Sequence, residues 1–225
     1  AMTQELPADW PAVSLTQAHE LLTAPGAPFE MTEIYVRGRK TRVWKNAPPT
    51  LRDVFLAGRA FGDRIFLVHE DERVSFESFA RASIALAHWL GAQGVRKGDR
   101  VAIVMRNLPE WPVSFFASLL IGAIATPLNG WWSGEELLYG LQDSGAKIVI
   151  ADAERYARIA AHVAECPDIE RVVVTRAGDQ PPATIAFESI IGAPNDWAPL
   201  PDAPLPDVAL EPDDDASILY TSGTT

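Results

Sequence analysis

From about residue 75 onward, two hydrophobic patterns alternate along the chain. One consists of short runs that are apolar on both faces, which is typical of strands buried in a parallel sheet. The other consists of longer segments with apolar positions every three or four residues, which predicts amphipathic helices. The apolar runs are RVAIVM at 100–105, AIATPL at 123–128, AKIVIA at 146–151 and RVVVT at 171–175. This alternation predicts βαβ units, and therefore an α/β fold with a mostly parallel sheet and helices on both faces.

The ends of the predicted helices carry capping signals. Asn107 is expected to cap the second long helix, with Pro109 in its first turn. Ser133 and Glu136 have the spacing of a capping box, and Gly145 is expected to end the helix that they begin. These signals set the helix boundaries more sharply than the hydrophobic pattern does.

The patterns divide the chain into four stretches. The first is irregular, although the residues around Gly38 read as the turn of a β-hairpin. A second hairpin is expected around residues 70–72. The third stretch is rich in proline and acidic residues, which suits a connection laid over the surface. The expected layout begins with an irregular N-terminal segment at 1–50, an α/β subdomain at 51–193 and the connection at 194–215. The last stretch, 216–225, is expected to be a strand over 216–221 that runs into a loop.

Composition and charge narrow the classes of function. The chain has 225 residues and a formal net charge of -11, with a pI of about 4.8. Nucleic-acid and anionic membrane surfaces would repel such a chain, so we expect no nucleic-acid partner. The longest apolar run, 113–128, is interrupted by Gly122 and Pro127 and is too short for a transmembrane segment. With a single cysteine, Cys166, and no signal-peptide pattern, we expect a cytoplasmic protein without a metal site.

The sequence TSGTT after the last apolar run is the clearest candidate site. Its glycine permits a tight turn, and successive backbone N–H groups in such a turn form a nest for anions. Hydroxyl groups add further donors. The alternative is an ordinary polar surface turn, and the position after a buried strand favours phosphate binding. The candidate phosphate-binding residues are Thr221, Ser222, Gly223, Thr224 and Thr225.

Several segments, in order, resemble one enzyme family. YTSGTT is similar to the start of the phosphate-loop signature of the adenylate-forming superfamily, which comprises acyl-CoA synthetases, luciferases and peptide-synthetase adenylation domains. GVRKGDRVAI, the N-x-x-E pattern in NLPE, and GAIATPLN resemble further landmarks of the family's N-terminal region. The likeness runs from about residue 41 to residue 225. RVWKNAPPTLRD and PLNGWW look most like bacterial medium- or long-chain fatty acyl-CoA ligases.

The resemblance implies a two-step reaction in a longer enzyme. A small-molecule carboxylate attacks the α-phosphate of ATP, and coenzyme A then displaces AMP from the acyl-adenylate. The loop 221–225 would wrap the β- and γ-phosphates, with Mg2+ sharing their charge. The family's catalytic lysine and acyl pocket would lie beyond residue 225, so we expect no catalytic residue in this chain, no adenylating activity of the chain alone, and a tendency to form homo-oligomers through exposed sheet edges.

Three further residues have a role implied by the same resemblance. Asn129, Trp131 and Trp132 lie where some relatives contact the CoA nucleotide. Some of those relatives carry a basic residue near this point, and PLNGWW has none. The alternative is that the two tryptophans cover a neighbouring subdomain.

Two alternative functions stay open from the sequence. One is an aryl- or amino-acid-adenylating enzyme of the same superfamily, the latter passing its product to a carrier protein. The other is a non-catalytic nucleotide- or partner-binding module. A carrier domain in the parent gene would indicate the first, and useful affinity of the isolated chain for ATP or a protein would indicate the second.

Overall fold

The structure is a computed structural model, and it describes residues 13–221. The chain divides between Pro49 and Thr50 into two compact units. The first unit holds helix α1 (Leu15–Thr23) and the antiparallel strands β1 (Met31–Val36) and β2 (Arg39–Trp44). Arg37 and Gly38 have φ values of 48° and 77°, which is the left-handed pair that a two-residue hairpin turn favours. The hairpin predicted near Gly38 is therefore confirmed.

The second unit begins with a helix and a second hairpin, and then alternates strands and helices. Its first elements are α2 (Leu51–Arg59), β3 (Ile65–His69), β4 (Glu72–Ser75) and α3 (Phe76–Ala92). The alternating part contains β5 (Arg100–Val104), α4 (Glu110–Leu120), β6 (Ile124–Pro127), α5 (Gly134–Ser144), β7 (Ile148–Asp152) and α6 (Ala153–Ile159). A 3-10 turn (Val163–Glu165), β8 (Arg171–Thr175), β9 (Ile185–Ala186), α7 (Glu188–Ile191) and a 3-10 turn (Pro194–Asp196) complete it.

Five strands of the second unit form one parallel sheet in the order β6-β5-β7-β8-β9. Alternate residues of the central strand β5 face opposite sides. Val101 and Ile103 lie in a core with residues of α3 and α4, whereas Ala102 and Val104 lie in a core with residues of α5 and α6. Helices therefore cover both faces of a parallel sheet, which confirms the predicted fold class.

The helix ends agree with the sequence in one case and differ in another. Ser133 and Glu136 form the predicted capping box, and Gly145 ends α5 with φ of 60°. The prediction that Asn107 caps α4 is wrong, because α4 begins at Glu110 and Pro109 occupies its N-cap position. A proline disfavours helical backbone at the residue before it, so the helix does not extend back to Asn107.

The segment at 216–221 does not form the expected strand. It makes one bridge to β6, in which the Ala125 N–H donates to Ala216 O and the Ile218 N–H donates to Ala125 O, each at 3.0 Å. The next donor in a parallel ladder would be residue 127 of β6, which is Pro127 and lacks an N–H. The ladder therefore stops after one bridge.

Candidate functional site

The carboxyl ends of β5 and β6 border a cavity of about 400 Å3. In open α/β sheets, ligands bind outside this edge. The loops that follow the two strands form two sides of the cavity, and the segment after the Ala125 bridge forms a third. The lining residues lie at 105–107, 127–131 and 219–220, together with Trp111. The structure thus brings two of the sequence-predicted candidates, Asn129 and Trp131, beside the residues that precede the predicted phosphate loop.

Trp131 stands on the rim of this cavity with a cation over its ring. The Asn129 side-chain Oδ1 accepts a hydrogen bond from the Trp131 backbone N–H at 3.0 Å, which fixes the turn. The indole is 71% exposed. The guanidinium carbon of Arg106 lies 3.7 Å from the centroid of the indole, within cation–π range. PLNGWW has no basic residue of its own, but the fold supplies one from the loop after β5.

Trp132 has a different environment from Trp131. Its ring meets the ring of Tyr220 edge to face, with centroids 5.7 Å apart. It packs against the core beneath α5 and α6. Trp132 therefore covers residues of its own unit, and the two tryptophans do not share one role.

Asp152 and Arg155 connect the two loops that carry the Arg106–Trp131 pair. The Asp152 carboxylate accepts a hydrogen bond from the Arg106 backbone N–H at 2.9 Å and caps α6 through the Arg155 N–H at 2.8 Å. The Arg155 Nε donates to the carbonyl of Gly130 at 3.0 Å. Both side chains are buried, and they lie 3.4 Å apart as an ion pair. A buried pair with this many bonds holds both loops in fixed positions.

A second arginine of α6 holds the same loop from its outer side. The Arg158 Nη1 donates to the carbonyls of Trp132 at 3.0 Å and Gly130 at 3.3 Å. Its Nη2 pairs with Glu154 at 2.9 Å, and Glu154 also pairs with Arg155. The 130–132 loop is therefore bound through its carbonyl groups, which leaves the Trp131 side chain free to face the cavity.

Tyr220 leads into the predicted phosphate loop. Its hydroxyl donates to the Asp143 carboxylate at 2.8 Å. Burial and the hydrogen bond to Asp143 raise the pKa of Tyr220 to about 12, so the phenol stays protonated near neutral pH. Thr221 follows as an exposed residue, the last that the structure describes. The other predicted phosphate-binding residues, Ser222, Gly223, Thr224 and Thr225, lie outside the described residues.

Sequence reasoning missed the four charged residues at this edge. Asp152 comes directly after the apolar run at 146–151 and before a helical pattern, so its capping role was predictable from the sequence. The sequence around these arginines does not indicate that Arg106 contacts Trp131. It also does not indicate that Arg155 and Arg158 bind carbonyl groups of residues 130–132. Those contacts join segments that are far apart in the chain.

A second polar cluster lies at the carboxyl end of β8. Glu110, the glutamate of the N-x-x-E pattern, is 1% exposed and binds the Arg176 Nε at 2.9 Å. Arg176 has φ of 58° and also pairs with Glu72 at 2.8 Å. Thr175 donates to Glu188 at 2.7 Å. The cluster ties β4, α4, β8 and α7 together, and all its charges are partnered within the fold.

Other site types considered from the sequence do not appear among residues 13–221. Burial, followed by the charges of Glu165 and Asp168, raises the pKa of the Cys166 thiol, which opposes thiolate formation. Within that range, no group of three or more His, Cys, Asp or Glu side chains is placed to hold a metal ion. The helices of that range all lack the combined length and apolar character needed to cross a membrane.

Comparison with known proteins identifies relatives for most of the chain. The family described as AMP-binding enzyme matches residues 55–225. The 3-hydroxybenzoate--CoA/4-hydroxybenzoate--CoA ligase of Thauera aromatica is 32% identical over 171 residues, covering 74% of this chain and 31% of the relative. The long-chain-fatty-acid--CoA ligase FadD13 of Mycobacterium tuberculosis is 33% identical over 157 residues, covering 69% of this chain and 28% of the relative.

A solved structure shows the same fold. The anthranilate CoA ligase AuaEII, crystallised in complex with anthranoyl-AMP, superposes with a TM-score of 0.70 at 25% identity, covering 80% of this chain and 34% of that one. The chain therefore spans about a third of the length of the relatives that it matches. Because the family match extends over more than half of the chain, the protein belongs to the family of AMP-binding, adenylate-forming enzymes, and its relatives are CoA ligases.

Proposed function

We propose that this chain forms the N-terminal part of an ATP-dependent, AMP-forming fatty acyl-CoA ligase. One observation carries the proposal. The bridge at Ala125 brings the chain to the carboxyl edge of the sheet, where Tyr220 lines the cavity and Thr221 follows it. A hydroxyl- and glycine-rich loop that begins at this edge has the location and the donors that a polyphosphate needs.

In the proposed reaction, a carboxylate attacks the α-phosphate of ATP and pyrophosphate leaves. The thiol of coenzyme A then attacks the acyl-adenylate, and AMP leaves. Thr221, with Ser222, Gly223, Thr224 and Thr225, binds the β- and γ-phosphates through hydroxyl and backbone N–H groups. These donors carry no fixed positive charge, so the release of pyrophosphate breaks no ion pair to these five residues.

The rim formed by Asn129 and Trp131 is proposed to border the nucleotide part of coenzyme A. The exposed indole offers a flat face for a purine, and Arg106 beside it offers a charge for a phosphate group. Trp132 supports the rim from below by its contact with Tyr220. The proposed contribution of this chain is therefore binding and orientation of two substrates, with the bond-making groups elsewhere in the enzyme.

Mg2+ is proposed to accompany the nucleotide. Residues 13–221 provide no cluster of metal-ligating side chains, and Mg2+ is commonly bound by substrate phosphates with few protein ligands. When bound, the ion would share the negative charge of the phosphates. The enzyme is proposed to act in the cytoplasm, a reducing compartment that suits a chain with a single cysteine.

The fatty-acid substrate class is supported by the resemblance of RVWKNAPPTLRD and PLNGWW to fatty acyl-CoA ligases and by the similarity to FadD13. The similarity to a hydroxybenzoate ligase favours an aryl acid as the second candidate. The acyl pocket is proposed to lie beyond residue 225, so the choice between the two acids is tested on the longer ligase.

CoA-thioester formation distinguishes the two candidates. The longer ligase would be supplied with ATP, coenzyme A and either fatty acids of increasing chain length or hydroxybenzoate, and the loss of free thiol would be followed. We expect kcat/KM for the best fatty acid to exceed that for hydroxybenzoate by at least about tenfold. A preference for the aryl acid would replace the first candidate by the second.

A further inference from the structure

The connection at 194–215 has more backbone hydrogen-bond acceptors than donors. It contains six prolines, which have carbonyl groups but no N–H. A segment of this composition cannot provide a hydrogen-bond donor for each of its carbonyl groups through a regular helix or strand. Its path from α7 to the bridge at Ala125 must be fixed by other donors, or by water.

Basic side chains of helices α2 and α3, and of the turn between α3 and β5, supply those donors. Each of four carbonyl oxygens along the connection accepts a hydrogen bond from a different side chain, at distances between 2.8 and 3.0 Å. The pairs are Arg81 with Leu200, His88 with Pro204, Arg52 with Val208, and Lys97 with Ala209. The connection is therefore attached at intervals over most of its length.

Lys97 holds the end of the connection that leads to the sheet. Its Nζ donates to the Ala209 carbonyl at 3.0 Å and pairs with the Asp214 carboxylate at 2.6 Å. The stem of Lys97 packs over Gly122, where an added Cβ would come within 3.0 Å of the Lys97 Cγ and the Leu210 Cδ2. Gly122 lies in the turn that leads into β6, so Lys97 connects the segment 194–215 to the start of this strand.

From these contacts we infer that Lys97 is a positioning residue for the phosphate loop. By holding Ala209 and Asp214, it sets where residue 216 meets Ala125. Few residues separate this bridge from Thr221, so the bridge limits where the loop begins. The inference rests on the proposed function in one respect, namely that the loop starting at Thr221 binds the phosphates of ATP.

Hydrogen exchange on the 225-residue chain tests the positioning itself. Lys97→Met keeps most of the stem and removes both polar contacts. We expect the amides of Ala125 and Ile218, which form the bridge, to exchange roughly threefold to tenfold faster, because local opening becomes easier. The amides of β7 and β8 are expected to keep their wild-type rates, and Lys97→Arg is expected to restore slow exchange at the bridge.

Lys147→Met is the matched control. Lys147 also donates to a carbonyl, that of Gly94 at 3.3 Å, and pairs with a carboxylate, that of Asp99 at 3.3 Å. Within residues 13–221, the Lys147 ammonium binds Gly94, Asp99 and Glu170, none of which belongs to the connection, so the bridge amides should be unaffected. Unchanged exchange at Ala125 and Ile218 in Lys97→Met would overturn the inference. So would faster exchange throughout the sheet, or the same bridge effect in Lys147→Met.

A kinetic measurement tests the link to function. In the longer ligase, Lys97→Met is expected to raise the KM for ATP roughly threefold to tenfold and to leave the KM for coenzyme A unchanged, with rescue by Lys97→Arg. Equal changes in both KM values, or none, would contradict the functional link. A ligase without any ATP-dependent activity would refute the proposed function, whereas the exchange experiment would still decide the positioning.

Discussion

The guanidinium group of Arg106 lies over the indole ring of Trp131, 3.7 Å from its centroid, although 24 positions separate the two residues in the chain. The two belong to the loops that follow β5 and β6, which are neighbours in the sheet. Asp152, which caps α6, accepts a hydrogen bond from the Arg106 backbone N–H, and Arg155 in α6 donates to the carbonyl of Gly130, the residue before Trp131. The pair is thus a consequence of sheet topology together with one buried ion pair.

Removing the cation from this pair should weaken coenzyme A binding. Arg106→Gln in the longer ligase is expected to raise the KM for coenzyme A roughly threefold to tenfold, because it removes a charge and a cation–π contact at the rim. The KM for ATP should change little. Coenzyme A titrations at saturating ATP and fatty acid provide the measurement.

Arg171→Gln is the control for Arg106→Gln. Arg171 is exposed at the amino end of β8, at the sheet edge opposite the cavity, and donates to the Glu170 carbonyl. It should leave both KM values unchanged. If Arg106→Gln also leaves the KM for coenzyme A unchanged, or raises the KM for ATP equally, the proposed role of the rim is wrong.

The buried ion pair beneath the rim should be important for stability. Arg155→Met leaves the Asp152 carboxylate buried without its charge partner, and we expect the free energy of unfolding to fall by about 3 kcal/mol. Arg158→Gln removes a partly exposed arginine and should cost less than about 1 kcal/mol. Urea denaturation of the 225-residue chain, followed by circular dichroism, measures both.

A double variant separates the charge from the packing. Asp152→Asn combined with Arg155→Met removes both charges, so it should be more stable than Arg155→Met alone. The free energies of unfolding of the double variant and of the two single variants are compared with wild type. If the loss in the double variant equals the sum of the losses in Asp152→Asn and Arg155→Met, the unpaired carboxylate is not the source of the loss.

Tyr220 should ionise at a higher pH than an ordinary tyrosine. Burial and the hydrogen bond to Asp143 raise its pKa to about 12 in the folded chain, whereas an unfolded tyrosine has a pKa of about 10. This difference favours the folded state below about pH 10, and the contribution is lost as the pH rises towards 12. Absorbance titration of the four tyrosines should show one late step that Tyr220→Phe removes. A late step that persists in the variant would contradict the assignment.

Gly134 should be intolerant of a side chain because of its contact with α6. A Cβ at Gly134 would lie 2.6 Å from the Arg158 carbonyl oxygen, which forces a backbone shift. Gly134→Ala is expected to destabilise the chain by about 1–3 kcal/mol. Gly91→Ala is the matched control, since an added Cβ there meets nothing within 4 Å in helix α3, and we expect a gain of about 0.5–1 kcal/mol. Similar effects of the two substitutions on the unfolding midpoint would refute the packing argument.

The predictable part of this fold is the part that local sequence controls. The two-sided apolar runs gave the parallel sheet, and the capping box at Ser133 gave a helix start, because burial and capping act over a few residues. The start of α4 and the strand at 216–221 were predicted wrongly. In both cases a proline, Pro109 or Pro127, removed an option that the apolar pattern allowed.

The candidate site was predictable only in outline. The phosphate loop after the last apolar run stays a prediction. Asn129 and Trp131, which were named from the resemblance, line the cavity, but the sequence did not indicate Arg106 or Arg155. These side chains reach the site through contacts between different loops, which no periodicity records. The attachment of the connection by Lys97 and Arg52 is hidden for the same reason.

The most direct test of the central claim is carboxylate-dependent ATP–pyrophosphate exchange. The longer ligase would be compared with the 225-residue chain, using fatty acids of increasing length. We predict exchange that depends on the fatty acid for the longer ligase and none for the 225-residue chain, because the groups that make the acyl-adenylate are proposed to lie beyond residue 225. The account would be contradicted if none of the acids supported exchange by the longer ligase. Exchange by the 225-residue chain alone would also contradict it.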